Sequence, residues 1–387
     1  MSSLPPDPFG PASAAGAGAP QPWQQSTGPG GSVPGGPAPW GSQQQWAGSP
    51  PPSPGKGGAS KWVLGGIALI AVIAITAVVA ISLSGRGKDN EAGSGRTATA
   101  GSGSNSEFAS ANDTGPITII TEDPSCAAWT PIINTMIDNS KGWADRDSSV
   151  PASTWSADLR LLYQQAGSTL RSAADQTVPL AKLTPHRVMR EAYEQFIAYA
   201  RAFADRIPSY TPSDNALDLT ARTATNVVTR ICQAITSASA AARAPLVQAG
   251  DQPSQTAPVG DPANLERFLT SPNDACQEWQ TAAAQFLSDI DAWRHTDSNI
   301  PVGQWTPEQR ALSAQIEPVL KTSADTLAEL GRRSGNAIWS DFAELAAQYR
   351  RAYAQALPTY TQADVNLYYV GLYTPGMVRG ACDAVAG

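Results

Sequence analysis

The sequence predicts an all-α protein with a disordered Pro/Gly-rich tail, one transmembrane helix and two tandem duplicated four-helix up-down bundles. Three observations lead there. Residues 126–232 recur as 276–382 at a constant offset of 150, with 26 of 107 aligned positions identical, the mark of a duplicated unit. Apolar residues within each copy recur at helical spacing. The run WVLGGIALIAVIAITAVVAISL, which begins at Trp62, is uncharged and long enough to cross a hydrocarbon core as a helix.

Taken in order, residues 1–61 read as a disordered cytoplasmic tail. Residues 1–60 hold 14 Pro and 13 Gly with few aliphatic side chains, too little apolar surface to offset the entropy of ordering. Trp23, Trp40 and Trp46 space this tail, either as anchors for a cytoplasmic partner or as parts of a solvated strip. Residues 62–83 are the expected transmembrane helix and 84–116, rich in Gly, Ser, Asn and Thr, a flexible stalk. Helical repeat 1 spans 117–243, a linker 244–265, and helical repeat 2 266–387.

Each repeat reads as four helices. Trp279, Phe286, Ile290 and Trp293 fall on one stripe, with Trp129, Met136 and Trp143 on the same seam of the first copy. Ser156 and Thr306 are N-caps for the second helix, which should run to about 180 or 330, with Gly331 a candidate stop for the latter. Phe196, Tyr199, Phe203 and Ile207 line the third helix, matched by Ala346, Tyr349, Tyr353 and Leu357; Pro208 and Pro358 end it. TPSD and TQAD at 211 and 361 open the fourth as capping boxes, and Pro375 with Gly376 should interrupt it in repeat 2.

The four cysteines stand at equivalent positions, and an up-down bundle brings the first helix's start beside the fourth helix's end. Within-repeat disulfides Cys126–Cys232 and Cys276–Cys382 follow. Disulfides imply an oxidising compartment, so the cysteines place the carboxyl side outside, although the charges flanking residues 62–83 favour the reverse by one cation.

The folded part carries the whole charge of −7, with 21 Lys+Arg against 28 Asp+Glu in 117–387, which speaks against nucleic-acid binding. His186 and His295 do not correspond between copies, so no metal or histidine-based site is expected in both, and no cofactor is expected. Glu191 and Glu194, opposite Asp341 and Glu344, read as a solvated face. The loops bracketed by Trp143 and Trp155 and by Trp293 and Trp305 could grip a ligand or plug the bundle ends. Tyr368, Tyr369 and Tyr373 replace Asp218, Leu219 and Thr223 of repeat 1, and could contact the other repeat, a second subunit or an envelope partner, or add core packing.

The Pro/Gly/Gln/Trp-rich tail, apolar run, Gly/Ser stalk and Arg-rich, Lys-poor carboxyl part with paired cysteines resemble the proline-rich single-pass membrane proteins of mycobacteria and related actinobacteria. The resemblance implies an inner-membrane anchor with an extracytoplasmic domain. The function expected is that of a non-enzymatic, membrane-anchored envelope protein binding a protein, lipid or cell-wall component. The alternative is a transmembrane sensor or regulator relaying ligand binding to the cytoplasmic tail.

Overall fold

The computed structural model describes residues 107–386. The chain divides after Thr97 into two units, and every described residue belongs to the second. The membrane part of the expectation is corrected here. Among the described residues no helix is long and apolar enough to cross a membrane. The stretch 62–83, like the tail, lies outside the described residues. The single-pass topology, the integral-membrane partnership, the extracytoplasmic placement of the repeats and the resemblance to single-pass proteins are therefore not retained.

The described residues are all-α. In repeat 1, α1 (Cys126–Asp138), α2 (Ala157–Leu183), α3 (Arg187–Arg206) and α4 (Asn215–Thr236) are followed by the short α5 (Ser239–Arg243). In repeat 2, α6 (Ala275–Asp289) and its extension α7 (Asp291–Arg294) precede α8 (Pro307–Arg333), α9 (Ala337–Ala356) and α10 (Val365–Ala386). Capping starts the helices where the sequence indicates. Ser156 accepts from Leu159 N, and Thr306 and Gln309 form a capping box with Pro307 at the first helical position. Thr211–Asp214 and Thr361–Asp364 form further boxes. The first helix packs against the second and fourth of its own repeat, and disulfides Cys126–Cys232 and Cys276–Cys382 tie its start to the end of the fourth.

Two glycine and proline signals resolve differently from the sequence reading. Gly331 lies inside α8, where a Cβ would come within 2.3 Å of the Ala343 Cβ, so it serves helix approach. The left-handed turn that follows α8 falls to Gly335 at φ 68°. Pro375 does not interrupt α10, which continues to Ala386. A proline leaves the carbonyl four residues earlier without its helical donor, and here Arg350 Nε donates to Gly371 O at 3.0 Å. Arg350 is buried, lies 3.6 Å over the Phe286 ring and has its pKa depressed by burial to about 9.

The two repeats form one body around α4 and α10, which run antiparallel. Thr220 meets Gly380, where a Cβ would come within 2.5 Å of Thr220 Oγ1. At the other end Arg230 donates to Asn366 Oδ1 and lies 4.2 Å over the Tyr369 ring. Arg243 of α5 grips Asp364 through Nε and Nη2, both at 3.0 Å. The linker and the first residues of repeat 2 lie over repeat 1, where Arg201 donates to Pro262 O and the Phe268 ring meets Tyr199. These contacts cover α3 on every side: each residue from Arg187 to Ala200 is buried.

Candidate binding site

The tryptophan-bracketed loops are anchored inward in both repeats. Trp143 is buried, donates from Nε1 to Asp218 Oδ2 at 2.9 Å and carries the Arg146 guanidinium 3.6 Å above its ring. Trp155 stacks on Tyr163 at 4.0 Å and donates to Val150 O. In repeat 2, Trp293 packs edge-on against Tyr353 and Tyr368. Half-buried Trp305 stacks on Tyr360 and donates to Ile300 O. The loops are pinned alike, by Tyr210 Oη to Ser148 O and Tyr360 Oη to Ser298 O, both at 2.7 Å. Tyr368 and Tyr373 are buried, and Tyr373 stacks on Tyr369, whose contact with Arg230 joins the repeats. The structure does not bring these tryptophans and tyrosines into one cleft.

The acidic residues expected on a solvated face are instead buried where the repeats meet. Glu191 is wholly buried, and Glu194 and Asp341 nearly so. Arg187 of α3 forms a bidentate pair with Asp341 of α9, Nε–Oδ2 2.6 Å and Nη2–Oδ1 3.1 Å. It also donates to Asp113 O and Gly115 O, main-chain acceptors before repeat 1. Arg190 Nη1 reaches both Glu194 oxygens at 3.2 Å, and its Nη2 lies 3.6 Å from Glu191. Neither oxygen of Glu191 accepts a hydrogen bond from the arginines beside it, and the neighbouring Asp341 carboxyl favours the protonated form. Burial first, and then the Asp341 charge, pushes its pKa well above 4.5, against the pull of Arg190 and Arg187. Burial also raises Glu194, against Arg190.

Sequence reasoning missed the two arginines. Arg187, Arg190, Glu191 and Glu194 fall at i, i+3, i+4 and i+7, one helical stripe. At the equivalent positions repeat 2 has Ala337, Ser340, Asp341 and Glu344. Two acids with no cation among these four positions, matched to four that hold two arginines, are the signal that the stripes face each other.

The upward shift of Glu191 has a measurable consequence. A carboxyl whose pKa rises on folding contributes stability that is complete below its unfolded value, near 4.5, and is lost as pH rises toward the folded value. Wild-type stability should therefore fall relative to Glu191→Gln as pH increases above 4.5, with a limiting slope of about 1.4 kcal/mol per pH unit. Urea unfolding of both proteins from pH 4.5 to 8 measures the gap; parallel profiles would refute it.

Beside this seam, a cavity of about 400 Å³ is lined by Asp325, Ala328 and Arg332 of α8, Glu344 and Arg351 of α9, and residues 248–251. Arg351 Nη2 donates to Asp325 Oδ1 at 2.8 Å and Nη1 to Glu344 Oε1 at 3.2 Å. The histidines lie apart from it. His186 contacts Glu122 O, and exposed His295 contacts Asp291 O. Among the described residues no group of three or more His, Cys, Asp or Glu side chains could hold a metal ion.

Disulfide-closed repeats fused along antiparallel helices, with a charged seam between them, define a duplicated all-α scaffold. The sequence signature of the family described as Mycobacterial ESX-1 associated protein spans residues 108–387, and the chain belongs to that family. It is 44% identical over 330 residues to an uncharacterized protein of Mycolicibacterium smegmatis (strain MKD8), covering 85% of this chain and 87% of the relative. The mycobacterial setting in the expected resemblance agrees with this match; its single-pass membrane class is overturned by the described helices, none of which is long and apolar enough to cross a membrane. No solved structure matches the chain.

Proposed function

We propose that this chain is a non-enzymatic binding protein, a rigid helical scaffold that associates with a protein partner. The use made of its repeat-equivalent polar side chains carries this reading. Asp147 and Asp297 each brace a loop through a main-chain N–H, of Ser149 and Asn299. Arg201 pairs with Asp175 and Arg351 with Asp325. Asp214 and Asp364 close capping boxes. Such charges on both copies hold their own chain in shape, which is the economy of a scaffold. The family description, ESX-1 associated, supports an ESX-1 protein as the partner.

The test is cross-linking of the full chain expressed in Mycolicibacterium smegmatis in place of its relative. A specific adduct with an ESX-1 protein is expected. Adducts lacking any such protein, or substrate turnover by the purified chain that survives further purification, would overturn the proposal.

A further inference from the structure

Repeat 1 already holds a peptide, supplied by its own chain. Arg201 of α3, anchored to Asp175 at 2.8 Å, donates from Nη1 to Pro262 O at 2.9 Å. Six residues earlier, Gln195 brackets the same segment, with Nε2 donating to Glu266 O at 3.3 Å and Oε1 accepting from Phe268 N at 2.8 Å. The Phe268 ring lies against Tyr199, and the Arg267 guanidinium lies over the same Tyr199 ring at 5.8 Å. The linker is thus read mainly through its main chain, with one aromatic anchor, as an extended peptide ligand is read.

Repeat 2 repeats half of this arrangement. Arg351 stands at the position equivalent to Arg201, and its pair with Asp325 has the same atoms and the same 2.8 Å distance. Gly250 lies against Glu344 as Gly260 approaches Glu194, 4.0 Å from the site of an added Cβ. Among the described residues no main-chain carbonyl stands to Arg351 as that of Pro262 stands to Arg201. Residues 107–113 precede repeat 1 as 257–263 precede repeat 2, yet they run to the α2–α3 turn, where Ala109 N donates to Lys182 O and Asp113 accepts from Arg187 N. Arg351 Nη1 turns to Glu344 instead. What remains beside it is the 400 Å³ cavity.

We propose that this cavity is a docking site for an extended, proline-containing peptide segment of a partner protein, whose main-chain carbonyl Arg351 takes as Arg201 takes that of Pro262. The inference rests on the binding-protein reading above and assigns it a place. Engagement exchanges the Arg351–Glu344 contact for the peptide carbonyl and leaves the Asp325 anchor intact. Arg332, at the equivalent of Lys182, lines the opposite wall in exposed pairs with Asp251 and Glu329. Exposed pairs of this kind hold weakly and can rearrange around a ligand.

The probe is a fluorescent peptide with the sequence of residues 258–268, PVGDPANLERF, titrated with the full chain and followed by anisotropy. The tethered linker occupies repeat 1 at high effective concentration, so the free peptide should bind at repeat 2. Saturable binding is expected, weakened about tenfold or more by Arg351→Gln, since a hydrogen bond from a charged donor is lost. Gln248→Trp places a large side chain at the cavity rim without touching the ion pairs, and should weaken binding comparably, so the test stands even if Arg351→Gln fails to fold. No saturable binding at millimolar protein, or binding unchanged in Gln248→Trp and in folded Arg351→Gln, would overturn the proposal. If the ESX-1 adduct forms equally well in Gln248→Trp, this site is wrong while the binding-protein reading stands.

Discussion

Arg187→Ala should destabilise the protein by about 3–5 kcal/mol, the cost of leaving a buried carboxylate without its partner. The substitution strips Asp341 of a bidentate cation in a site where Arg187 and Asp341 are both almost wholly buried. Burial disfavours the guanidinium charge, yet Asp341, Glu191 and Asp113 together raise its pKa above the ordinary arginine value. Removing the cation therefore leaves Asp341 beside Glu191 without its counter-charge. Denaturant unfolding at pH 7 measures the loss, and a change below about 1 kcal/mol, the range of exposed pairs, would show that the seam is solvated. Asp341→Asn should cost less, because an amide keeps a hydrogen-bond acceptor for Arg187 and removes one negative charge from beside Glu191.

Replacing Cys126 and Cys232 by Ser should cost a comparable amount. The bond joins positions 106 residues apart, and the chain-entropy account gives about 4–5 kcal/mol for a loop of this length. Cys276 and Cys382 have the same separation, so the second pair should weigh equally. Thermal melts of the two double variants, with the wild type under oxidising and reducing conditions, measure this. Variants as stable as the oxidised wild type would refute it.

Much of the fold was legible because its signals are local or periodic. The 150-residue offset exposes the duplication, the aromatic stripes give the helix faces, and Ser156, Thr306, Thr211 and Thr361 announce helix starts by side-chain chemistry alone. Cysteine positions and up-down order together bring the right pairs into reach.

Each misreading has its own physical origin. Helical period shows which residues share a face, but not what covers that face. Glu191 and Asp341 looked solvated because each repeat was read as a separate bundle, whereas each supplies the other's missing surface along α3 and α9. Pro375 looked like a break because the donor that satisfies Gly371 O comes from Arg350, on another helix. Gly331 looked like a stop because close helix approach and a left-handed turn both favour glycine. The membrane reading rested on hydropathy in residues 62–83, and the described helices do not support it. As for the Arg351 cavity, its residues are visible in the sequence as kept charges. Only the folded chain shows that its counterpart in repeat 1 is filled by the linker.

The claim on which the rest depends is that the two repeats are one body, joined by α4 against α10 and sealed by Arg187 and Asp341. Differential scanning calorimetry of the intact, oxidised chain tests it most directly. One unfolding transition is expected, with calorimetric and van't Hoff enthalpies equal, as for a single cooperative unit. Two separable transitions, with Arg187→Ala leaving both midpoints unmoved, would contradict it and return the repeats to the status of independent modules.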